Sequence, residues 1–185
     1  MGRIREISPV KLLAGLITTH LPFFETIKEC LEKEWGPVDC VSEIMNFNYT
    51  RYYEKEMGSP LYRQFVSFHK LIDPGGIAQI KLFTNSLESE LSVEGRRRIN
   101  IDPGYLTPAR LVLATTKDCS HRIYLSNGIY AEITLIYQRG GFKPLPWTYP
   151  DYRSEAYGKY FSQVREILLK ELGLRTNTPG KNQSC

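Results

Sequence analysis

The chain has 185 residues, of which 42% are hydrophobic and 24% charged, enough to build an ordinary globular core in one domain. No apolar run approaches the roughly 18 residues of a membrane-spanning helix, and collagen-like, low-complexity and disordered compositions are excluded. Lys and Arg total 24 against 20 Asp and Glu, a formal charge of +4 that lacks the dense basic stripe of a dedicated nucleic-acid binder.

The apolar run 10–18 predicts a buried strand. Pro22 suits the first turn of a helix, Phe24, Ile27, Leu31 and Trp35 continue at helical spacing, and Gly36-Pro37 ends it. A second strand is expected over 40–47, an aromatic and charged connection over 48–58, and a third strand over 64–72. Asp73-Pro74 is a helix start, with Ile77, Ile80, Leu87 and Leu91 on one stripe. Gly95 and Arg96-Arg97-Arg98 end that helix, and the arginines read either as a solvated turn or as a phosphate-facing cluster. A short strand over 98–101 is closed by Asp102-Pro103-Gly104, a turn by residue type. A central strand follows over 111–116. Asn127-Gly128 then predicts a two-residue type I′ hairpin turn with arms 121–126 and 129–137. Gly140, Gly141, Pro144, Pro146 and Pro150 break regular structure. The last helix spans 154–172 on the stripe Tyr157, Phe161, Val164, Leu168 and Leu172, with Gly173 as its terminator. A polar tail occupies 175–185.

The first six elements follow the order β-α-β-β-α-β. The predicted fold is a single α+β domain over 1–174 with a ferredoxin-like core, an added strand and hairpin, and a C-terminal helix. The sheet is mainly antiparallel. Helices on one face would leave the other open to a ligand or partner.

Cys30, Cys40, Cys119 and Cys185 form no C-x-x-C pair, so neither a zinc ribbon nor a thioredoxin-like site is suggested. The charged start and the short apolar stretch 12–17 do not read as a signal peptide, and Glu6 stands where a myristoylation signal requires Ser or Thr. The expected setting is cytoplasmic, with free thiols.

Several long motifs carry a family resemblance: Pro9-Val-Lys-Leu-Leu-Ala-Gly15, 66–68 through Lys81-Leu-Phe-Thr-Asn85, Asp102-Pro-Gly-Tyr-Leu-Thr107, Leu111-Val-Leu-Ala-Thr-Thr-Lys-Asp118, His121-Arg-Ile-Tyr-Leu125 and Pro144-Leu-Pro-Trp-Thr-Tyr-Pro-Asp-Tyr-Arg153. In these the chain resembles an uncharacterised bacterial family known as domain of unknown function 4416. The resemblance implies no activity. Some members carry a GTP-binding label, yet no G-x-x-x-x-G-K-[ST] loop is present here, and Thr116-Lys117-Asp118 lacks the residue that a guanine-reading motif places between Lys and Asp.

Chemistry is expected beside the hairpin. With Asn127-Gly128 as the turn, His121 faces Thr134 and lies diagonal to Glu132, while Arg122 falls on the opposite face. His121 is then a candidate acid or base and Glu132 its orienting carboxylate. A one-residue slip would separate the two. Asp118, and Asp102 if its strand lies adjacent, are further catalytic candidates. Lys117 and Arg122, with Arg98 and Arg153, are candidate anion contacts. His121, Glu132 and one Asp would resemble a two-oxygen, one-nitrogen metal set, but no H-x-x-x-H or similar spacing backs it; the cofactor stays open, and His20 and His69 read as structural. The segment 147–153 is either a lid over a pocket or packing for the last helix.

Two functions follow. One is an enzyme or ligand-binding protein acting on an anionic small molecule, phosphorylated or a nucleotide among the options. The other is a non-catalytic module for RNA or a protein partner, with Tyr49, Tyr52, Tyr53 and the Phe65-Val66-Ser67-Phe68 segment on an open sheet face.

Overall fold

Strand β1 (Val10–Thr18) is buried along its whole length, which its unbroken apolar sequence requires. In the structure, a computed structural model that describes residues 2, 3 and 6–174, it is the central strand. The expected tail over 175–185, Cys185 included, lies outside the described residues. β1 pairs antiparallel on one side with β4 (Tyr62–Ile72) and on the other with β5 (Ile99–Leu106). Helix α1 (Pro22–Trp35) leads to two short strands, β2 (Val38–Val41) and β3 (Met45–Asn46), both on the outer side of β4. A single helical turn, α2 (Glu54–Met57), precedes β4, and α3 (Ile77–Glu90) joins β4 to β5. Then come β6 (Arg110–Thr115), β7 (Ile123–Ser126), β8 (Ile129–Gln138), β9 (Gly141–Pro144) and α4 (Glu155–Glu171). The nine-stranded sheet runs β2-β4-β1-β5-β6-β8-β7, with β3 on β4 and β9 on β8, and every pair is antiparallel. The chain is thus an α+β domain with a mainly antiparallel sheet and a C-terminal helix. Among the described residues no helix is long and apolar enough to cross a membrane.

Alternation along the strands divides the core in two. Leu12, Ala14 and Leu16 of β1, with Val66, Phe68, Ile99 and Ile101, pack under α1 and the start of α3. Leu13 of β1, with Phe65, Leu111, Leu113 and Leu135, packs under Tyr157, Tyr160, Phe161, Val164 and Leu168 of α4. Both faces therefore carry helix. This corrects the expectation of one open face: the α4 stripe is as apolar as that of α1 and needs a sheet face of its own.

Three local expectations also change. The strand expected over 40–47 is two pieces, because Ser42 breaks the ladder: its hydroxyl accepts from the Phe65 N–H at 2.9 Å, and its carbonyl accepts from the Gln64 side chain at 3.2 Å. Asp102-Pro103-Gly104 is not a turn but the middle of β5, where pairing with β1 through Leu106↔Lys11 overrides local turn preference. Arg139 and Gly140, at φ 49° and 79°, do not end the sheet but turn the chain into a second hairpin, β8–β9.

Candidate functional site

The sheet opens between β5 and β6. Their pairing covers only Leu106↔Leu111, Tyr105↔Val112 and Gly104↔Leu113. Beyond that point β5 stays on β1 as far as Ile99↔Thr18, and β6 stays on β8 as far as Thr115↔Tyr130. At the fork the backbones are so close that a Cβ on Gly104 would lie 2.7 Å from Leu113 Cδ2 and nearer still to the Val112 carbonyl oxygen.

A strand edge exposed by such a cleft needs partners for its backbone. α3 supplies them. The Ile101 N–H donates to Glu88 Oε1 at 2.7 Å, and Lys81 Nζ donates to the Ile101 carbonyl at 2.9 Å. Pro103, two residues on and directed the same way, has no N–H to leave unpaired. Lys81, Thr84 and Glu88 continue from Ile77 at core-facing helical spacing and are all buried. Charged residues on a buried stripe were the sequence signal for this cleft. Burial raises the Glu88 carboxyl above its usual range, with the Lys81 charge and the Ile101 N–H opposing.

The cleft holds a cavity of about 540 Å³. Its lining comes from Lys81, Asn85 and Glu88 of α3, Asn100 and Asp102 of β5, Leu113 to Lys117, the tyrosines Tyr49, Tyr52 and Tyr53, and the segment Tyr149 to Tyr152. Arg63 also lines it, 2% exposed. Its Nη1 donates to Asp102 Oδ2 at 3.4 Å and its Nη2 to Asp151 Oδ2 at 3.2 Å. The guanidinium sits 5.2–5.7 Å from the Phe47, Phe65 and Tyr152 ring centres. Gly15 makes room for it: a Cβ there would lie 2.8 Å from the Phe65 ring and against the Arg63 side chain. Burial raises the Asp151 carboxyl, against the pull of Arg63. Among the described residues, three buried donors on cavity-lining side chains have no hydrogen-bond partner: Arg63 Nε, Asn100 Nδ2 and the Tyr152 hydroxyl.

The structure brings several sequence candidates together here. Asp102, Lys117 and Glu132 line the cavity. Lys117 Nζ stands 4.2 Å over the Tyr52 ring, and among the described residues it has no carboxylate partner. Glu132 is buried and held from several sides: Arg122 Nε donates to Oε2 at 2.7 Å, Thr134 Oγ1 to Oε1 at 3.2 Å, and His121 Nε2 lies 3.3 Å from Oε2. His121 and Glu132 do meet, but by a different route from the expected one. The register shifts between Tyr124 and Ser126, giving Tyr124↔Tyr130 and Ile123↔Ala131. That bulge carries Arg122, expected on the opposite face, onto Glu132, and His121 approaches from the turn before β7. The His121 ring stacks on Trp147 at 5.3 Å and does not line the cavity.

The other candidates stand elsewhere. Asp118 is exposed on the loop after β6 and does not line the cavity. Arg98 lies over the Phe23 ring at 4.3 Å, beside a separate shallow depression. Arg153 donates to the Leu145, Pro146 and Thr148 carbonyls, so it braces the loop that carries Tyr149 and Asp151. That loop lines the cavity through Tyr149 to Tyr152, and it also packs for the last helix, with Tyr152 against Phe65 and Phe161 beneath α4. Phe65 and Phe68 are fully buried and offer no face to an RNA base. Asp151, expected at the rim of a pocket under the 147–153 segment, lines the cavity, whereas Arg63 and Asn100 carry no sequence expectation of a site. A lone Arg at the head of an apolar strand was the one local sign of them.

The family model described as Domain of unknown function (DUF4416) matches residues 8–168. No curated protein and no solved structure matches the chain.

Proposed function

The chain belongs to the DUF4416 family, a kinship that names no activity, and from that premise we propose that it binds a small anionic molecule in the cleft between β5 and β6. The observation that supports this reading is the set of unpartnered donors on Arg63, Asn100 and Tyr152. A buried donor without an acceptor costs about 1–3 kcal/mol, and a ligand oxygen that reaches these donors relieves that cost. Lys117 adds an ammonium at the mouth that has no carboxylate partner among the described residues. The remaining charges in the wall are paired already: Arg63 with Asp102 and Asp151, Lys81 and Arg97 with Glu88, and Glu132 with Arg122. Of those carboxylates Asp102 is the most open, with a side-chain exposure of 26% against 7% for Glu88, 7% for Asp151 and 1% for Glu132. Asp102 is therefore the carboxylate within reach of a bound molecule. His121 acts at one remove, as a positioning residue for Glu132 and the Trp147 loop.

Thermal unfolding against inorganic phosphate, sugar phosphates, nucleotides and organic carboxylates tests the reading. A ligand at about 100 times its Kd stabilises by roughly 2.7 kcal/mol, or about 5–10 °C in a domain of this size. Asn100→Asp keeps the oxygen that accepts from Arg97 at 3.0 Å and replaces the unpartnered amide donor with negative charge. The expected result is a shift with at least one anion that N100D abolishes. A shift that survives N100D places the anion elsewhere and overturns the proposal.

A further inference from the structure

We infer that the ligand is a ring-bearing anion, an aryl or heteroaryl phosphate or carboxylate whose charged head enters the cleft and whose flat ring lies against the tyrosines at its mouth. This rests on the anion-binding reading above. Tyr49, Tyr52 and Tyr149 keep 42%, 56% and 40% of their surface exposed although all three line the cavity. A single exposed tyrosine is ordinary. Here, rings from two segments far apart in sequence converge on one opening, and each is held in place. Tyr52 stands edge-on to Tyr53 at 5.0 Å, Tyr49 edge-on to Tyr157 at 6.5 Å, and the Tyr149 hydroxyl accepts from Arg122 at 2.6 Å. Rings fixed by edge contacts and a hydroxyl bond present their remaining surface as rigid platforms. Such platforms favour a flat π system, whose offset or edge-to-face contacts exceed simple area burial.

The interior of the cavity suits the opposite end of the molecule. Lys81, Arg63 and Asn100 bring charge and amide donors to a lining shared with Phe47, Leu113 and Ala114, so an anionic head finds polar partners inside. A molecule with an anionic head and a ring body matches both zones. A bare inorganic anion would leave the tyrosine mouth unused, and a saturated body would gain only its apolar area.

Calorimetric titration with phenyl phosphate, cyclohexyl phosphate, benzoate, cyclohexanecarboxylate and inorganic phosphate tests the inference and covers both head groups. For the head group that binds, the phenyl compound is expected to bind about three- to tenfold more tightly than its cyclohexyl partner. Tyr52→Leu, at an exposed position where folding is not at stake, should bring that ratio close to one. Equal affinities for phenyl and cyclohexyl compounds, or a ratio that Tyr52→Leu leaves intact, overturn the ring inference while the anion site stands. No binding by any of the five overturns the anion reading itself, and this inference with it.

Discussion

Replacing Gly104 with Ala probes the fork from which the cleft opens. The new methyl carbon would stand 2.7 Å from Leu113 Cδ2, 3.3 Å from Leu113 Cα and closest of all to the Val112 carbonyl oxygen, inside the 3.0 Å that real Cβ atoms respect. The Leu113 side chain can rotate away. The Val112 carbonyl cannot, because Val112 is paired with Tyr105 on one side and Ile133 on the other. The β5–β6 ladder must therefore part at its innermost pairs, and it has only three. Overpacking costs about 1–3 kcal/mol, and each ladder bond weakened adds about 1 kcal/mol. A loss of roughly 3 kcal/mol lowers Tm by about 6–12 °C in a chain of this length. Gly158→Ala is the matched control: it lies inside α4 with nothing within 4 Å of its Cβ. Ala there should stabilise by about 0.5–1 kcal/mol and raise Tm by about 1–4 °C. Differential scanning calorimetry of both variants decides the matter. A Gly104→Ala midpoint within about 2 °C of the wild type would refute the claim that the fork is a rigid backbone contact.

Lys11→Met should destabilise by about 3–5 kcal/mol in urea unfolding, because it strands Asp39 and Glu171 around a fully buried position where Lys11 Nζ now lies 2.7 and 2.6 Å from them. Lys28→Met removes the partner of exposed Glu25 and should stay within about 1 kcal/mol of the wild type; equal losses at the two sites would contradict the burial argument. Glu56 ties α2 to the arginine run. The Arg97 guanidinium donates to both its oxygens, at 2.8 and 2.7 Å, and holds its carboxyl below the usual value of 4.5. A depressed carboxyl contributes stability above its unfolded pKa and loses it as pH falls through the folded one. Glu56→Gln should therefore be less stable than the wild type at neutral pH, and the gap should close on acidification below pH 4.5; a gap that is constant with pH would count against the pair.

Local signals determined much of this protein. The unbroken apolar run made β1, Pro22 and Gly36-Pro37 bounded α1, Asn127-Gly128 made the hairpin turn, and Ser154 with Gly173 bounded α4. Each of these is settled by residues within a few positions of one another, so sequence reasoning reaches it. The same reasoning paired His121 with Glu132, although the two meet through a register it did not foresee, and it named Asp102 and Lys117, which line the cavity. Tertiary structure decided the rest. Asp102-Pro103-Gly104 has every local mark of a turn, yet it is strand, because β1 offers a full edge to pair with. Ser42 interrupts a strand through bonds to β4 that lie more than twenty residues away. α4 covers the face that element order left open, since its apolar stripe had to be buried somewhere. The cleft is the clearest case. Arg63, Asn100 and Asp151 are distant in sequence, and the fork that joins them depends on Gly104 touching β6, on Pro103 having no N–H to offer, and on Lys81 and Glu88 reaching from α3 to satisfy Ile101. Polar groups so placed are stable only when the whole sheet holds them, and a window of local sequence contains only one partner of each pair.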